Sequence, residues 1–286
     1  MSDALIQQYS LAVLELLKSG AREAAKQLEI KLMTKGLYGG SVDSEEWLDK
    51  LITNDPAMLD LKKQVRALVP VDDSVLIIGE TGTGKEIVAR ALHGSRGPYT
   101  PDGTNSTFGR FVAINCPALS VDLMFSELFG HVKGSFTGAN EDKIGKLQYA
   151  YKGTLFIDEV GDMPLSMQSA LLRALQERTI VRVGDNKEIV IEFRLVCATH
   201  RNLRDMIEKG LFREDLYYRI STFELHTTPL RRRIDDIKLI VASLDKKNKF
   251  PIDDYMKVNR ELPGNVRELQ RIVRRHAVLW DSYENS

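Results

Sequence analysis

Ser74-Val-Leu-Ile-Ile-Gly-Glu-Thr-Gly-Thr-Gly-Lys85, running on into Glu86-Ile-Val-Ala-Arg-Ala-Leu92, is the stretch that decides the fold. Its first five residues form a bulky apolar run bounded by polar neighbours, the pattern of a strand buried on both faces. Residues 86–92 have helical spacing. Between them lie Gly79, Glu80, Thr81, Gly82, Thr83, Gly84 and Lys85, a Gly-x-x-x-x-Gly-Lys loop. Strand, glycine-rich loop and helix together make the setting of a phosphate-binding loop. The glycines let backbone N–H groups converge on phosphate oxygens at the positive end of the helix, and the lysine reaches the β- and γ-phosphates. The general pattern places Ser or Thr after the lysine to ligate magnesium. Glu86 stands there instead, so Mg²⁺ has to depend on another carboxylate.

That carboxylate appears downstream in Gly153-Thr-Leu-Phe-Ile-Asp-Glu159. An apolar run ending in two acids predicts a second buried strand whose C-terminal end carries Asp158 and Glu159. Ligands sit at that end of open α/β sheets, and two adjacent acids are costly to bury for stability alone. The division of labour that suits phosphoryl transfer from ATP is Asp158 for Mg²⁺ and Glu159 for orienting and activating a water. Between the two motifs lies Glu127-Leu-Phe-Gly-His-Val-Lys-Gly-Ser-Phe-Thr-Gly-Ala139. Its core, Gly134, Ser135, Phe136, Thr137, Gly138 and Ala139, sets an aromatic and a hydroxyl residue between glycines, a composition suited to a mobile tip. Phe136 is either buried against the body or touches a partner.

With these motifs on the page, residues 46–280 resemble the AAA+ ATPase module of bacterial sigma-54-dependent transcription activators. Glu86 after the loop lysine is usual in that family. The family's signature loop reads Gly-Ala-Phe-Thr-Gly-Ala, and this chain keeps Phe136 and Thr137 with Ser135 for the alanine. Gly153 to Pro164 is nearly the family's Walker B segment. By the same resemblance Asn115, ending Phe111-Val-Ala-Ile-Asn115, restrains the catalytic glutamate until nucleotide is read, and Thr199 takes the sensor I position. The residue after sensor I is usually Asn and here is His200. Phe212-Arg-Glu-Asp-Leu-Tyr-Tyr-Arg219 matches the segment that supplies arginine fingers to a neighbouring subunit, so Arg213 and Arg219 take that role. Pro263-Gly-Asn-Val-Arg-Glu-Leu269 matches the sensor II motif, with Arg267 on the γ-phosphate of its own subunit; Leu262 replaces the usual tryptophan. Arginine, a rigid and permanently charged fork, suits these phosphate contacts.

The rest of the chain sets limits. Its 286 residues suffice for one ATPase module of two subdomains with an extra segment in front. With 40 basic and 40 acidic residues there is no global field to draw it to nucleic acid. Arg231-Arg-Arg233 reads as a solvated linker. Cys116 and Cys197, the only cysteines, suggest neither a disulfide framework nor a zinc site. No apolar run approaches the ~20 residues that span a membrane, and no signal peptide pattern opens the chain; a reducing cytoplasm is the expected location. Residues 4–17 and 21–33 predict two helices, read either as a hairpin packed on the ATPase or as a partner-docking element. Residues 94–106 read as a surface insert, and the stretch from Asp236 to Leu262 is short enough for the lid to lack a helix. The chain stops soon after a final helix at Arg271 to Trp280, so no sequence-specific DNA binding by this chain is expected.

The fold expected is therefore an α/β P-loop AAA+ core of three layers on a parallel sheet, with a short C-terminal helical lid. The divisions are 1–45 for an N-terminal helical segment, 46–228 for the α/β ATPase subdomain and 229–286 for the lid. The resemblance implies a homo-hexameric ring motor that hydrolyses ATP with Mg²⁺ and remodels the sigma-54 RNA polymerase holoenzyme through Phe136 and Thr137. A second surface loop near Gly184-Asp-Asn-Lys187 would assist. The alternative is an AAA+ ring that remodels or scaffolds a different client outside transcription.

Overall fold

A computed structural model describes residues 44–94, 110–118, 121–245, 250–252, 255 and 261–284. The two N-terminal helices and the insert expected from the sequence lie outside these residues, apart from Gly94, and so do residues 246–249, 253–254 and 256–260 of the short stretch of the lid. Ile252 and Tyr255 are described, and both are helical.

The strands are β1 (Val75–Ile78), β2 (Phe111–Asn115), β3 (Gly130–His131), β4 (Lys143–Ile144), β5 (Thr154–Asp158), β6 (Thr179–Val181), β7 (Glu188–Val190), β8 (Arg194–Thr199) and β9 (Phe223–His226). Five of them form one sheet in the order β2-β5-β8-β1-β9, and every pairing in it is parallel. Parallel strands need helical crossovers, which cover both faces and call for apolar side chains on both. Alternate residues accordingly enter different cores. Leu76, Leu155, Ile157, Leu195 and Cys197 join a cluster on one face, and Val75, Ile77, Phe156, Val196 and Ala198 join another. A third cluster, including Leu230, Ile237, Ile240, Leu262, Leu269 and Val273, lies outside the sheet layers and joins the helices Ile234–Leu244 and Asn265–Glu284.

Helix Ser44–Asp49 places Leu48 in the second core and packs on helix Lys85–His93. The expected start of the ATPase unit at residue 46 falls inside this helix. Helix Pro56–Leu68 starts with proline at its first position and an Asp55 side chain that accepts from Met58 N–H at 3.0 Å, a normal N-cap. Fully buried Arg194 ties two helix ends to the sheet. Its guanidinium donates to Leu68 O at 2.7 Å and Leu92 O at 2.6 Å, where orphan carbonyls and the helix dipoles favour a cation. The helix behind the glycine loop is thereby fixed at its far end.

Arg231-Arg-Arg233 is a solvated linker only in part: Arg231 and Arg232 are exposed and Arg233 is not. Arg233 is buried, donates to Thr228 O and pairs with buried Asp236 at 3.2 Å, while Asp236 also accepts from Thr53 Oγ1 at 2.5 Å and Asn54 N–H at 2.7 Å. Arg231 forms two hydrogen bonds of 2.5 Å to Glu80. Composition alone suggested solvated charge; the fold supplies carboxylates on both sides, and a buried charge persists only with such partners. Both cysteines are free and buried, and burial pushes the Cys116 thiol up to about 12. Among the described residues, no helix is long and apolar enough to cross a membrane.

Candidate nucleotide site

The parallel sheet presents the C-terminal ends of β1 and β5 at one edge, and a cavity of about 520 Å³ opens there. One wall is polar and comprises residues 81–86 of the glycine loop together with Asn115, Asp158, Glu159, Asp162 and His200. The lining also includes the apolar residues Leu51, Ile52, Ile240, Leu244 and Val266. A cavity lined by both apolar side chains and an anion-binding loop suits a molecule with a flat base and a phosphate tail. None of the five apolar residues was singled out from the sequence. They come from segments up to about 215 positions apart, and they line the cavity only after folding.

Two glycines of the loop are dictated by close approach. A Cβ on Gly79 would lie 1.8 Å from Thr227 Oγ1, and one on Gly82, at φ +79°, would lie 2.2 Å from Gly264 O. The second contact is where the lid meets the loop. Val266 N–H donates to Gly82 O at 3.1 Å, and the Asn265 side chain donates to Thr81 O at 3.0 Å and Glu80 Oε2 at 3.2 Å. Asn265 Oδ1 accepts from Leu230 N–H at 2.7 Å, so a fully buried amide in the left-handed region (φ 51°) joins loop, lid start and lid helix. Arg267 follows in the first turn of that helix and lines the cavity. Glu80 has its carboxyl held below the usual range, first by hydrogen bonding to Arg231 and also by Asn265.

Lys85 is buried at the helix N-terminus, where its Nζ donates to Gly79 O at 2.8 Å, Glu80 O at 3.3 Å and Glu159 Oε1 at 3.1 Å. Glu159 occupies the left-handed region (φ 54°, ψ 51°), which costs a non-glycine residue about 1–2 kcal/mol. The conformation is pinned by its N–H on Asp158 Oδ1 at 3.1 Å and by Asp162 N–H on its carbonyl at 2.9 Å. It turns the side chain toward Lys85 on one oxygen and His200 on the other, with His200 N–H at 3.0 Å and Nδ1 at 2.6 Å from Oε2. Burial pushes the Glu159 carboxyl up, but the His200 hydrogen bonds and the Lys85 charge outweigh it and leave it below the usual range. Asp158 moves the other way: burial and the Glu159 charge hold its carboxyl above the usual range.

Several residues picked from the sequence therefore meet here: the loop, Lys85, Asn115, Asp158, Glu159 and Arg267. Glu86 lines the cavity and also pairs with Arg90 at 2.8 Å on the same helix. Asn115 shares the cavity with Glu159, but the carboxylate's partners are Lys85 and His200. Thr199 is fully buried, and its Oγ1 accepts from Arg201 N–H at 3.0 Å. His200, the next residue, is the one that reaches the site. The signal for it was present in the sequence as a departure from the usual Asn. Arg213 and Arg219 lie elsewhere: Arg213 pairs with Asp215 at 2.7 Å and donates to Ser169 Oγ, and Arg219 donates to Leu175 O.

The Gly134–Ala139 segment forms a turn closed by Gly134 N–H on Ala139 O (2.9 Å) and Ala139 N–H on Phe136 O (3.1 Å). Phe136 is 43% exposed at its tip, with its ring edge-on to buried His131 at 5.0 Å. Ser126 Oγ lies 2.8 Å from His131 Nδ1 and holds that ring from below. The hairpin of β6 and β7, which carries Gly184–Lys187, is bonded to the same base through Val132 N–H on Val183 O and Val183 N–H on Gly130 O.

A family model described as the Sigma-54 interaction domain matches residues 51–226. The formate hydrogenlyase transcriptional activator FhlA of Escherichia coli (strain K12) is 43% identical over 249 residues, covering 84% of this chain and 34% of that protein. The regulatory protein AtoC of the same strain is 38% identical over 287 residues, covering 97% of this chain and 60% of that protein. Among solved structures, NtrX from Brucella abortus in complex with ATP superposes with a TM-score of 0.65 at 28% identity, covering 93% of this chain and 56% of that chain. The chain thus spans between about a third and three fifths of the length of these relatives.

Proposed function

Because this chain belongs to the sigma-54 interaction domain family and has its α/β P-loop AAA+ fold, we propose that it is an ATP-hydrolysing ring motor that acts on the sigma-54 RNA polymerase holoenzyme to activate transcription in a bacterial cytoplasm. The observation that carries this reading is Phe136, a large apolar side chain exposed at the tip of a glycine-flanked turn in the same core as the nucleotide cavity.

Within the cavity each side chain has a task. Lys85 and the loop N–H groups bind the β- and γ-phosphates, with Gly79 to Glu86 as the cradle, and Arg267 reaches the γ-phosphate from the lid. The five apolar residues take the base. Glu159 accepts a proton from the attacking water as that oxygen bonds the γ-phosphorus and the bond to ADP breaks. Thr199, through Arg201, braces the turn that carries His200. Asp158 suits Mg²⁺, because its half-buried carboxylate feels the Glu159 charge and a cation relieves that repulsion. Bound there, Mg²⁺ would neutralise phosphate charge. Arg213 and Arg219 serve a neighbouring subunit in a homo-hexamer; both lie outside the cavity of their own chain. We divide the chain into 1–45, 46–228 and 229–286, with the ATPase core in the second part and the lid in the third. Asn115 relays nucleotide state from Glu159 toward the Gly134–Ala139 turn, a two-state element biased by the γ-phosphate.

Binding of the purified protein to sigma-54 with and without ADP–aluminium fluoride tests the reading. A complex that forms only with the trapped nucleotide is expected. No complex from protein that still hydrolyses ATP would overturn the sigma-54 assignment and leave a ring ATPase with a different client.

A further inference from the structure

We infer that Gln168 is a positioning residue for Arg213: its buried amide ties the backbone of that arginine to the turn after β5, so that the guanidinium is set at a fixed place on the subunit surface. The inference rests on the proposed action of Arg213 across a subunit boundary.

Gln168 lies in the first turn of helix Leu165–Glu177 and is fully buried. A buried amide needs partners at both ends. Nε2 donates to Met163 O at 2.8 Å and Leu211 O at 3.2 Å, and Oε1 accepts from Arg213 N–H at 2.8 Å. All three partners are backbone groups outside the helix that carries Gln168. Met163 belongs to the turn after β5, and Leu211 and Arg213 to the link between helices Leu203–Glu208 and Glu214–Ile220. A carbonyl only accepts and an N–H only donates, so these partners fix which end of the amide is which. Glutamate would set an oxygen against two carbonyls, and methionine would fill the space with no bond to any of the three.

Arg213 is held at its root and loose at its tip. It is the N-cap of helix Glu214–Ile220, so its N–H has no partner within that helix, and Gln168 supplies one. Phe212 beside it is buried in the same core as Met163 and Met167. The guanidinium, by contrast, lies at the surface, on Asp215 at 2.7 Å and Ser169 Oγ at 3.1 Å. Contacts between exposed charged groups are weak in water, so the fork can leave them while the root stays. The root is also referenced to the subunit's own cavity. Met163 N–H donates to Val160 O at 3.1 Å, and Asp162 N–H to Glu159 O at 2.9 Å, in the same turn whose Met163 O the amide holds. In a head-to-tail ring each site combines the cavity of one subunit with the arginine of the next. Gln168 sets the geometry between the two ends of one subunit that such a ring repeats.

Subunit mixing in the full chain tests this, with Gln168→Met as a volume-conserving change. Alone, Gln168→Met should lower kcat for ATP hydrolysis about 100-fold, the cost of misplacing a transition-state group by an ångström. Its affinity for a fluorescent ATP analogue should stay within about twofold, since its own cavity is complete. Lys85→Ala subunits bring an intact arginine and no working cavity. Mixed in equal amount with them, Gln168→Met should recover about a quarter of the wild-type rate, the share of junctions that pair a good cavity with a good arginine. Mixed with Arg213→Ala it should stay inactive, because neither protein brings a placed arginine. Hydrogen exchange of the wild-type protein adds a readout that needs no variant to fold: the Arg213 amide should exchange slowly although it precedes its helix. The inference is overturned if Gln168→Met keeps wild-type kcat or loses the analogue, if Lys85→Ala does not restore it, if Arg213→Ala does, or if the Arg213 amide exchanges freely. Failure of the underlying reading looks different: Arg213→Ala mixed with Lys85→Ala would itself recover nothing.

Discussion

Glu159 and Phe136 occupy one core but are held in opposite ways. Glu159 is half-buried and tied through its side chain to Lys85 and His200, and its own backbone sits in a costly conformation that neighbouring turns maintain. Phe136 is held through backbone: two turn hydrogen bonds close the segment, and beyond them its ring has an edge-on contact with His131. Proton transfer and phosphoryl transfer depend on positions fixed to fractions of an ångström, so side chains are locked. Contact with a macromolecule depends on an apolar surface being presented, and a backbone-closed turn with glycines at φ +82° and +104° can present it without fixing the ring deeply. The difference predicts that chemistry and contact are separable by mutation.

Lys85→Ala strikes the locked side hardest. The phosphates lose a buried ammonium, so binding of a fluorescent ATP analogue should fall below detection; retained affinity would break the division at its strongest point. Glu159→Gln should bind ATP at near wild-type affinity and hydrolyse it about 10²- to 10⁴-fold more slowly, as loss of a general base requires. Subunit mixing probes the arginines outside the cavity. Arg213→Ala or Arg219→Ala protein, added in equal amount to wild type, should depress ATPase activity by more than dilution, and plain dilution would show that neither acts across a subunit boundary. The smallest effect on hydrolysis belongs to the presented side. Phe136→Ala should leave the ATPase rate within about twofold, the usual range for an exposed substitution, yet abolish sigma-54 remodelling. A large loss of hydrolysis would make Phe136 a structural residue.

Much of the site was legible because local sequence and local geometry coincide there. A strand, a glycine loop and a helix adjacent in the chain are adjacent in space, so Gly79 to Lys85 could be placed from spacing alone, and two acids at a strand end announced Asp158 and Glu159. His200 was noticed but not assigned. Its partner lies 41 positions away, and only the parallel pairing of β5 with β8 brings the two strand ends side by side. Arg233 was misread for a related reason: a run of three arginines carries no mark of the carboxylates, Glu80 and Asp236, that meet two of them.

The sequence by itself determined the phosphate loop, the buried parallel strands and the glycine-flanked turn, because glycine backbone freedom, apolar runs and strand-end acids act within a few residues of one another. Tertiary structure alone decided which apolar residues line the cavity, how the lid rests on Gly82 through Asn265, and which side chains hold each oxygen of Glu159. Those are contacts between segments that meet only when the sheet order β2-β5-β8-β1-β9 is set, and no local pattern encodes which strand ends will be neighbours.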